Sequence, residues 1–178
     1  MELTGEKIII RNFEESDFEV FSQLVQDQSN HETAGLEYSL NKNNSRDIFN
    51  KYLVLANTYV IALKSSHKML GIIELNERGV SDGLDKTREI GFVISSDQRN
   101  HGYASEAIKL MLSHSFNTLH LTEVWASVKT TNPVPQALLS KLGFKYIYQV
   151  SQDPLHLESE DKMLKYYLLK NENGGVNE

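Results

Sequence analysis

Apolar residues change their spacing several times along the chain, and each change marks an element. "KIIIRNF" near the N-terminus is a short apolar run of strand length. Ser16 and Glu19 then have the spacing of a capping box, ahead of Phe18, Phe21 and Val25 at helical intervals. Ile48, Phe49, Tyr52, Leu53 and Ala56 repeat that interval and predict a second helix over 45–56. Between the two, Gln28 to Asn43 carries little period and reads as a loop or irregular flap.

The pattern then shifts toward strands. "TYVIAL", "KSSHK" and "MLGIIEL" read as a β-hairpin rich in β-branched residues, and a polar loop from Glu77 to Thr87 leads to the strand "REIGFVI". Ala104, Ala107, Ile108, Met111, Leu112 and Phe116 lie on one face of a helix, the most regular in the chain. There follow a strand "EVWASV", a helix from Pro133 to Leu142 stopped by Gly143, and a strand "FKYIYQV". The polar stretch "SQDPLHLESED" separates these from a last strand, "KMLKYYLL". Helices and strands alternate only in part, so a mixed α/β sheet with helices on both faces is expected rather than a fully parallel one.

Composition narrows the picture. The 178 residues suit one domain over 1–170, and the polar end "NENGGVNE", 171–178, reads as a flexible tail. A formal charge of -6 argues against nucleic acid as the main ligand, since backbone phosphates require a dense basic surface. There are no cysteines, which excludes disulfides, thiolate metal sites and a cysteine nucleophile. The N-terminus "MELTGEKIII" has neither the flanks of a secretion signal nor the length of a membrane span, so cytoplasmic residence is the expectation. His114, His120 and His156 lack metal-ligand spacing, and no metal is expected. The acidic run Glu158, Glu160 and Asp161 reads as a solvated loop.

One strand-to-helix junction carries candidate chemistry. In "QRNHGYASEA" a helix starts directly after a single glycine, and a helix start presents unpaired N–H groups under a positive dipole end. Gly102 lets a ligand approach the backbone, Ala104 keeps the first turn open, and Arg99 offers forked donors. These features favour a diphosphate lying across 99–104, against the alternative of an ordinary loop. The stretch is neither the dinucleotide fingerprint nor the P-loop, which need other glycine spacings.

Arg99, Gly102 and Ala104 as R-x-x-G-x-A, between a strand and an amphipathic helix, resemble the acyl-CoA pyrophosphate motif of the GCN5-related N-acetyltransferases. Further on, "NPVPQALLSKLGF" resembles the family's second signature, with Asn132, Lys141, Gly143 and Phe144 at its fixed positions. "EIGFVI" and "GYASEA" most resemble the branch that includes the ribosomal-protein N-terminal (RimJ/RimL-type) acetyltransferases. The resemblance spans about Lys7 to Leu169.

It implies a mostly antiparallel mixed sheet of about seven strands with a splayed parallel pair, "EIGFVIS" and "EVWASV". It further implies acetyl-CoA as co-substrate and a primary amine as acceptor: a protein N-terminus, or a small molecule such as a polyamine or aminoglycoside. Backbone at Phe92, Val93, Ile94 and Ser95 would pair with pantetheine and polarise the thioester carbonyl. The diphosphate would lie on Arg99, Asn100, His101, Gly102, Tyr103 and Ala104, with the backbone of His101 rather than its ring in use. Asn132 would hold the pantetheine amide or an ordered water, or would simply cap the helix at Pro133. Glu89, or Glu74 on the adjacent strand, would take the acceptor's proton; the alternative is a strand-end carboxylate paired with Arg88 or Lys86.

The family pattern breaks at the acid. Its usual tyrosine and serine positions are Leu139 and Pro135 here, which leaves Tyr103, Tyr146, Tyr148 or water to protonate the departing thiolate. That break keeps a second reading open, a non-catalytic acyl-CoA-binding or sensor protein. Edge strands near the C-terminus are compatible with a homodimer.

Overall fold

The computed structural model describes residues 1–79, 84–152 and 163–172. His156, the acidic run and the end of the tail from 173 lie outside these residues. Eight strands form one sheet in the order β1-β2-β3-β4-β5-β6-β8-β7. They are β1 (Glu2–Thr4), β2 (Ile8–Arg11), β3 (Thr58–Leu63), β4 (Met69–Glu77), β5 (Thr87–Ile94), β6 (Glu123–Lys129), β7 (Lys145–Ser151) and β8 (Met163–Lys170). The helices are α1 (Phe18–Gln26), α2 (Gln28–Ala34), α3 (Lys42–Tyr52), α4 (Tyr103–Asn117) and α5 (Pro133–Lys141). The sheet has one strand more than expected, because β1 is three residues long and carries too little pattern to announce itself.

The chain divides into two compact units, Met1–Leu75 with Gly91–Met111, and Asn76–Ile90 with the chain from Leu112 onward. In the first unit β1, β2, β3 and the start of β4 form an antiparallel run. Ile8, Ile9 and Ile10 are all buried, so β2 is covered on both faces and reads as an unbroken apolar run. Phe13, Phe18, Phe21, Phe49 and Tyr52 make an aromatic core in which Phe21 lies 5.1 Å from Phe49 and 4.9 Å from Tyr52 between ring centres.

Two expected helix limits shift. α1 is not capped by Ser16 and Glu19: a 3-10 turn at Glu15–Asp17 precedes it, and Asp17 accepts from the Glu14 amide at 2.8 Å while pairing with Arg11. α3 starts earlier than expected because Asn41 accepts from the Asn43 and Asn44 amides, and it ends at Tyr52. The expected flap after α1 contains a helix, α2, capped by Asp27 at its start and stopped by Gly35 with φ of 71°.

In the second unit β6 and β5 run parallel, pairing Thr87 with Glu123, Arg88 with Val124 and Glu89 with Trp125. No further pair of this ladder follows among the described residues, although β6 continues to Lys129 along β8. β8 returns between β6 and β7, antiparallel to both.

Candidate active site

In the first unit, β5 ends at Ile94, a 3-10 turn covers Ser96–Gln98, and α4 starts at Tyr103. Asn100 and Gly102 both take left-handed backbone, with φ of 64° and 83°. A Cβ built on Gly102 would meet nothing within 4 Å, so the space in front of it is open. Gly102 O accepts from the Glu106 amide at 3.1 Å, which leaves the amides of Tyr103, Ala104 and Ser105 ahead of the first helical bond. Glu106 keeps its charge away from them by accepting from the Lys7 and Ile8 amides at 2.9 and 3.4 Å. The His101 ring is exposed and stacks on Tyr103 at 5.4 Å.

Arg99 is more committed than its sequence position suggests. Its Nε donates to Ile94 O at 3.2 Å and its Nη2 to Asn30 Oδ1 at 2.9 Å, so two of three nitrogens tie the junction to protein. Asp27 lies in the same region; the Ser29 hydroxyl foremost, then the Ser29 amide, Arg99 and Ser96, hold its carboxyl below the usual range against the opposing effect of burial.

Along β5, the Ser95 amide donates to Leu70 O at 2.9 Å and its hydroxyl to Asp97 Oδ1 at 2.7 Å. Strand amides alternate in direction, so those of Phe92 and Ile94 point to the edge opposite that of Val93 and Ser95. Of the four residues expected to polarise a carbonyl, Phe92 and Ile94 therefore direct their amides away from β4. Glu74, half-buried on β4, has Oε2 3.7 Å from the position of a Cβ on Gly91. Burial foremost, then the charges of Glu74 and Glu37, pushes the Tyr52 hydroxyl well above the usual tyrosine range.

In the second unit Glu89 has partners that differ from those expected. Ser127 Oγ donates to Glu89 Oε1 at 2.6 Å, and Arg78 Nε lies 3.7 Å from Glu89 Oε2. Arg88 turns to Glu77 instead, at 3.5 Å, because neighbouring residues of a strand face opposite sides. The Glu89 side chain is 28 % exposed, which leaves it reachable from solvent. Tyr166, opposite Ser127 in the β6–β8 ladder, has its hydroxyl pushed up by burial foremost and then by Glu89 and Tyr148, with Arg78 opposing. Ser127, Arg78 and Tyr166 were not singled out from sequence, since only the strand register brings them beside Glu89.

Asn132 precedes Pro133 but makes no side-chain cap bond. Gln136 instead ties the preceding turn to the helix, its Nε2 donating to the carbonyls of Lys129, Thr130 and Asn132 at 3.0 to 3.1 Å. Leu139 is 1 % exposed and belongs to the core. Of the tyrosines considered as acids, Tyr146 packs edge-on to Tyr167 at 6.0 Å and Tyr148 stacks on Tyr166 at 5.0 Å. Among the described residues no three His, Cys, Asp or Glu side chains come together as a metal site, and no helix is long and apolar enough to cross a membrane.

An open left-handed glycine ahead of a helix, at the end of a strand in a mixed sheet, is the arrangement the sequence led us to expect of an acyl-CoA-dependent transferase. The acetyltransferase (GNAT) domain family matches residues 7–145, and the chain belongs to that family. It is similar to the uncharacterized N-acetyltransferase p20 of Bacillus licheniformis, with 24 % identity over 80 % of this chain and 82 % of that protein. A GNAT-family acetyltransferase from Bacillus anthracis shares the fold with a TM-score of 0.79 and 23 % identity, over 96 % of this chain and 98 % of its own. The spermidine N-acetyltransferase of Vibrio cholerae, solved with CoA and spermine, does so at 0.74 and 17 %, over 93 % and 96 %. RimL, a ribosomal L7/L12 N-acetyltransferase solved with CoA, does so at 0.76 and 14 %, over 96 % and 98 %. This protein is an N-acetyltransferase with acetyl-CoA as donor, and the open backbone at Gly102 suits the diphosphate of that donor.

Proposed function

We propose that this enzyme acetylates a primary amine, a protein N-terminus or a small-molecule amine, with Glu89 as the base. The observation that carries the reading is the Glu89 carboxylate: one oxygen is fixed by Ser127 at 2.6 Å, while the side chain stays 28 % exposed. A carboxylate held in orientation yet part-exposed to solvent supports a role as general base.

The amine arrives mainly as an ammonium, with a reference pKa of about 8 for an N-terminus and about 10.4 for a lysine-like amine. Glu89 removes a proton, directly or through one water, and the neutral nitrogen can then attack. Acetyl-CoA supplies the activated acetyl thioester. Phe92 or Ile94 N–H donates to the carbonyl oxygen, where negative charge develops. Gly102 and the amides of Tyr103 to Ser105 hold the diphosphate, and the uncommitted Asn132 amide holds pantetheine or an ordered water. With Leu139 buried and Pro135 in the serine position, water is the source of the thiol proton. Glu74 is the second candidate base. The outward Tyr146, Ile147 and Val150 on edge strand β7 support pairing into a homodimer.

Thiol release from acetyl-CoA, measured against peptides, polyamines and aminoglycosides, tests the reading. Acceptor-dependent release is expected, and Glu89→Gln should slow it roughly 10²-fold or more at neutral pH with CoA affinity kept. CoA binding without release for any acceptor would favour a sensor, and absence of CoA binding would overturn both.

A further inference from the structure

The surroundings of Glu89 already hold a cation. The Arg78 guanidinium lies 4.2 Å from the centre of the Trp125 ring, with its Nε 3.7 Å from Glu89 Oε2. Trp125 is pinned in place, its Nε1 donating to Glu123 Oε2 at 3.1 Å. The aromatic surface continues from Trp125 to Tyr148 at 6.2 Å and from Tyr148 to Tyr166 at 5.0 Å. A tryptophan face beside a carboxylate is a setting that selects cations.

The resident is loosely held. The Arg78–Glu89 separation is too long for a hydrogen bond, and both side chains are part-exposed, at 21 % and 28 %. Arg78 directly follows the last residue of β4. Glu89 Oε1 is taken by Ser127, so Oε2, the oxygen turned to Arg78, is the one left for a proton.

We propose that the Trp125 face and Glu89 Oε2 form the acceptor's ammonium subsite, and that Arg78 occupies it until an acceptor displaces it. The inference rests on the reading of Glu89 as the acceptor-side base. An arginine side chain is an unbranched stem ending in a cation, so what replaces it has that shape: an alkylammonium on a methylene chain. An α-ammonium, whose carbon bears a side chain and a peptide, does not. Once seated, the ammonium nitrogen passes one proton to Oε2, which becomes a neutral carboxyl and leaves the nitrogen lone pair free.

Trp125 is the sole tryptophan of the chain, so its fluorescence reports the subsite directly. Titration of the full-length protein with putrescine should give a saturable change, and butanediol, its uncharged counterpart, should give none. Arg78→Ala should tighten putrescine by about threefold or more, since no internal cation competes. Arg78→Gln, which keeps the stem and loses the charge, should act in the same direction and guards against a misfolded alanine variant. An unchanged or weaker putrescine Kd in both variants overturns the proposal, as does an equal response to butanediol. A response to an N-terminally free peptide but not to putrescine overturns the alkylammonium assignment. Acetyl transfer measured on the same samples separates the two readings. Tighter binding without transfer would overturn Glu89 as base and leave the subsite standing, whereas transfer with no effect of Arg78 would overturn the subsite alone.

Discussion

Asn30 and Arg99 are 69 positions apart in the chain, and one hydrogen bond of 2.9 Å joins Asn30 Oδ1 to Arg99 Nη2. Asn30 is 1 % exposed, and its Nδ2 donates to Leu24 O at 3.0 Å. A single buried amide thus fixes both the end of α1 and the arginine of the proposed diphosphate cradle.

Asn30→Ala should therefore cost about 1–3 kcal/mol of stability, the range for leaving buried polar partners unmade. CoA affinity should fall several-fold, because Arg99 loses one of its two anchors. Thermal unfolding and calorimetric titration read the two effects separately. Lost stability with unchanged CoA affinity would reduce Asn30 to a scaffold residue.

Gly102→Val separates strain from obstruction. A Cβ at Gly102 meets nothing within the protein, so the folding cost should be set by the left-handed backbone, at roughly 1–2 kcal/mol or somewhat more for a β-branched residue. CoA binding should weaken more than about tenfold, the loss expected when a side chain stands between ligand and backbone amides. Unchanged affinity by calorimetry would remove the cradle from the reading.

Asp17→Asn probes the buried pair beside α1. Arg11 donates Nη1 to Asp17 Oδ2 and Nη2 to Oδ1, both at 2.8 Å, and the two side chains are 7 % and 2 % exposed. Loss of the carboxylate charge leaves a buried guanidinium uncompensated, at about 3–5 kcal/mol. Urea unfolding measures it, and a loss under about 1 kcal/mol would show that Arg11 is neutralised elsewhere.

Tyr52 gives a pH signature. Its hydroxyl is raised, so its contribution is fully present below the unfolded tyrosine value of about 10 and is lost as pH rises through the higher folded value. Stability should fall above about pH 10 as the unfolded chain releases this proton first. Tyr52→Phe should flatten that decline in denaturant titrations across the alkaline range. An equal slope in both proteins would assign the decline to other groups.

The sequence shows α4 and the hairpin plainly because burial drives both: Ala107, Ile108 and Met111 are fully buried at helical spacing. α2 escapes the same test. Of "QSNHETA" only Asn30 is buried, and the helix is held by the Asp27 cap, the Gly35 stop and Asn30 hydrogen bonds, none of which leaves a periodic trace. Glu89 was legible as a candidate, but not its setting. β8 follows β7 in the chain yet lies between β7 and β6, and that insertion sets Tyr166 opposite Ser127. Strand alternation turns the side chains of Arg88 and Glu89 to opposite faces and rules out their pairing.

Gly71 lies where β4 shifts register against β3. A Cβ there would fall onto the Val93 carbonyl oxygen and come within 3.0 Å of Ile94 Cα. Val93 and Ile94 belong to the stretch of β5 proposed to meet pantetheine. An alanine at Gly71 would have to push that stretch aside, and donor alignment would suffer from a change that touches no ligand. Under randomisation, this remote position would behave like a member of the catalytic set, and its intolerance would be a measure of how closely two backbones must run.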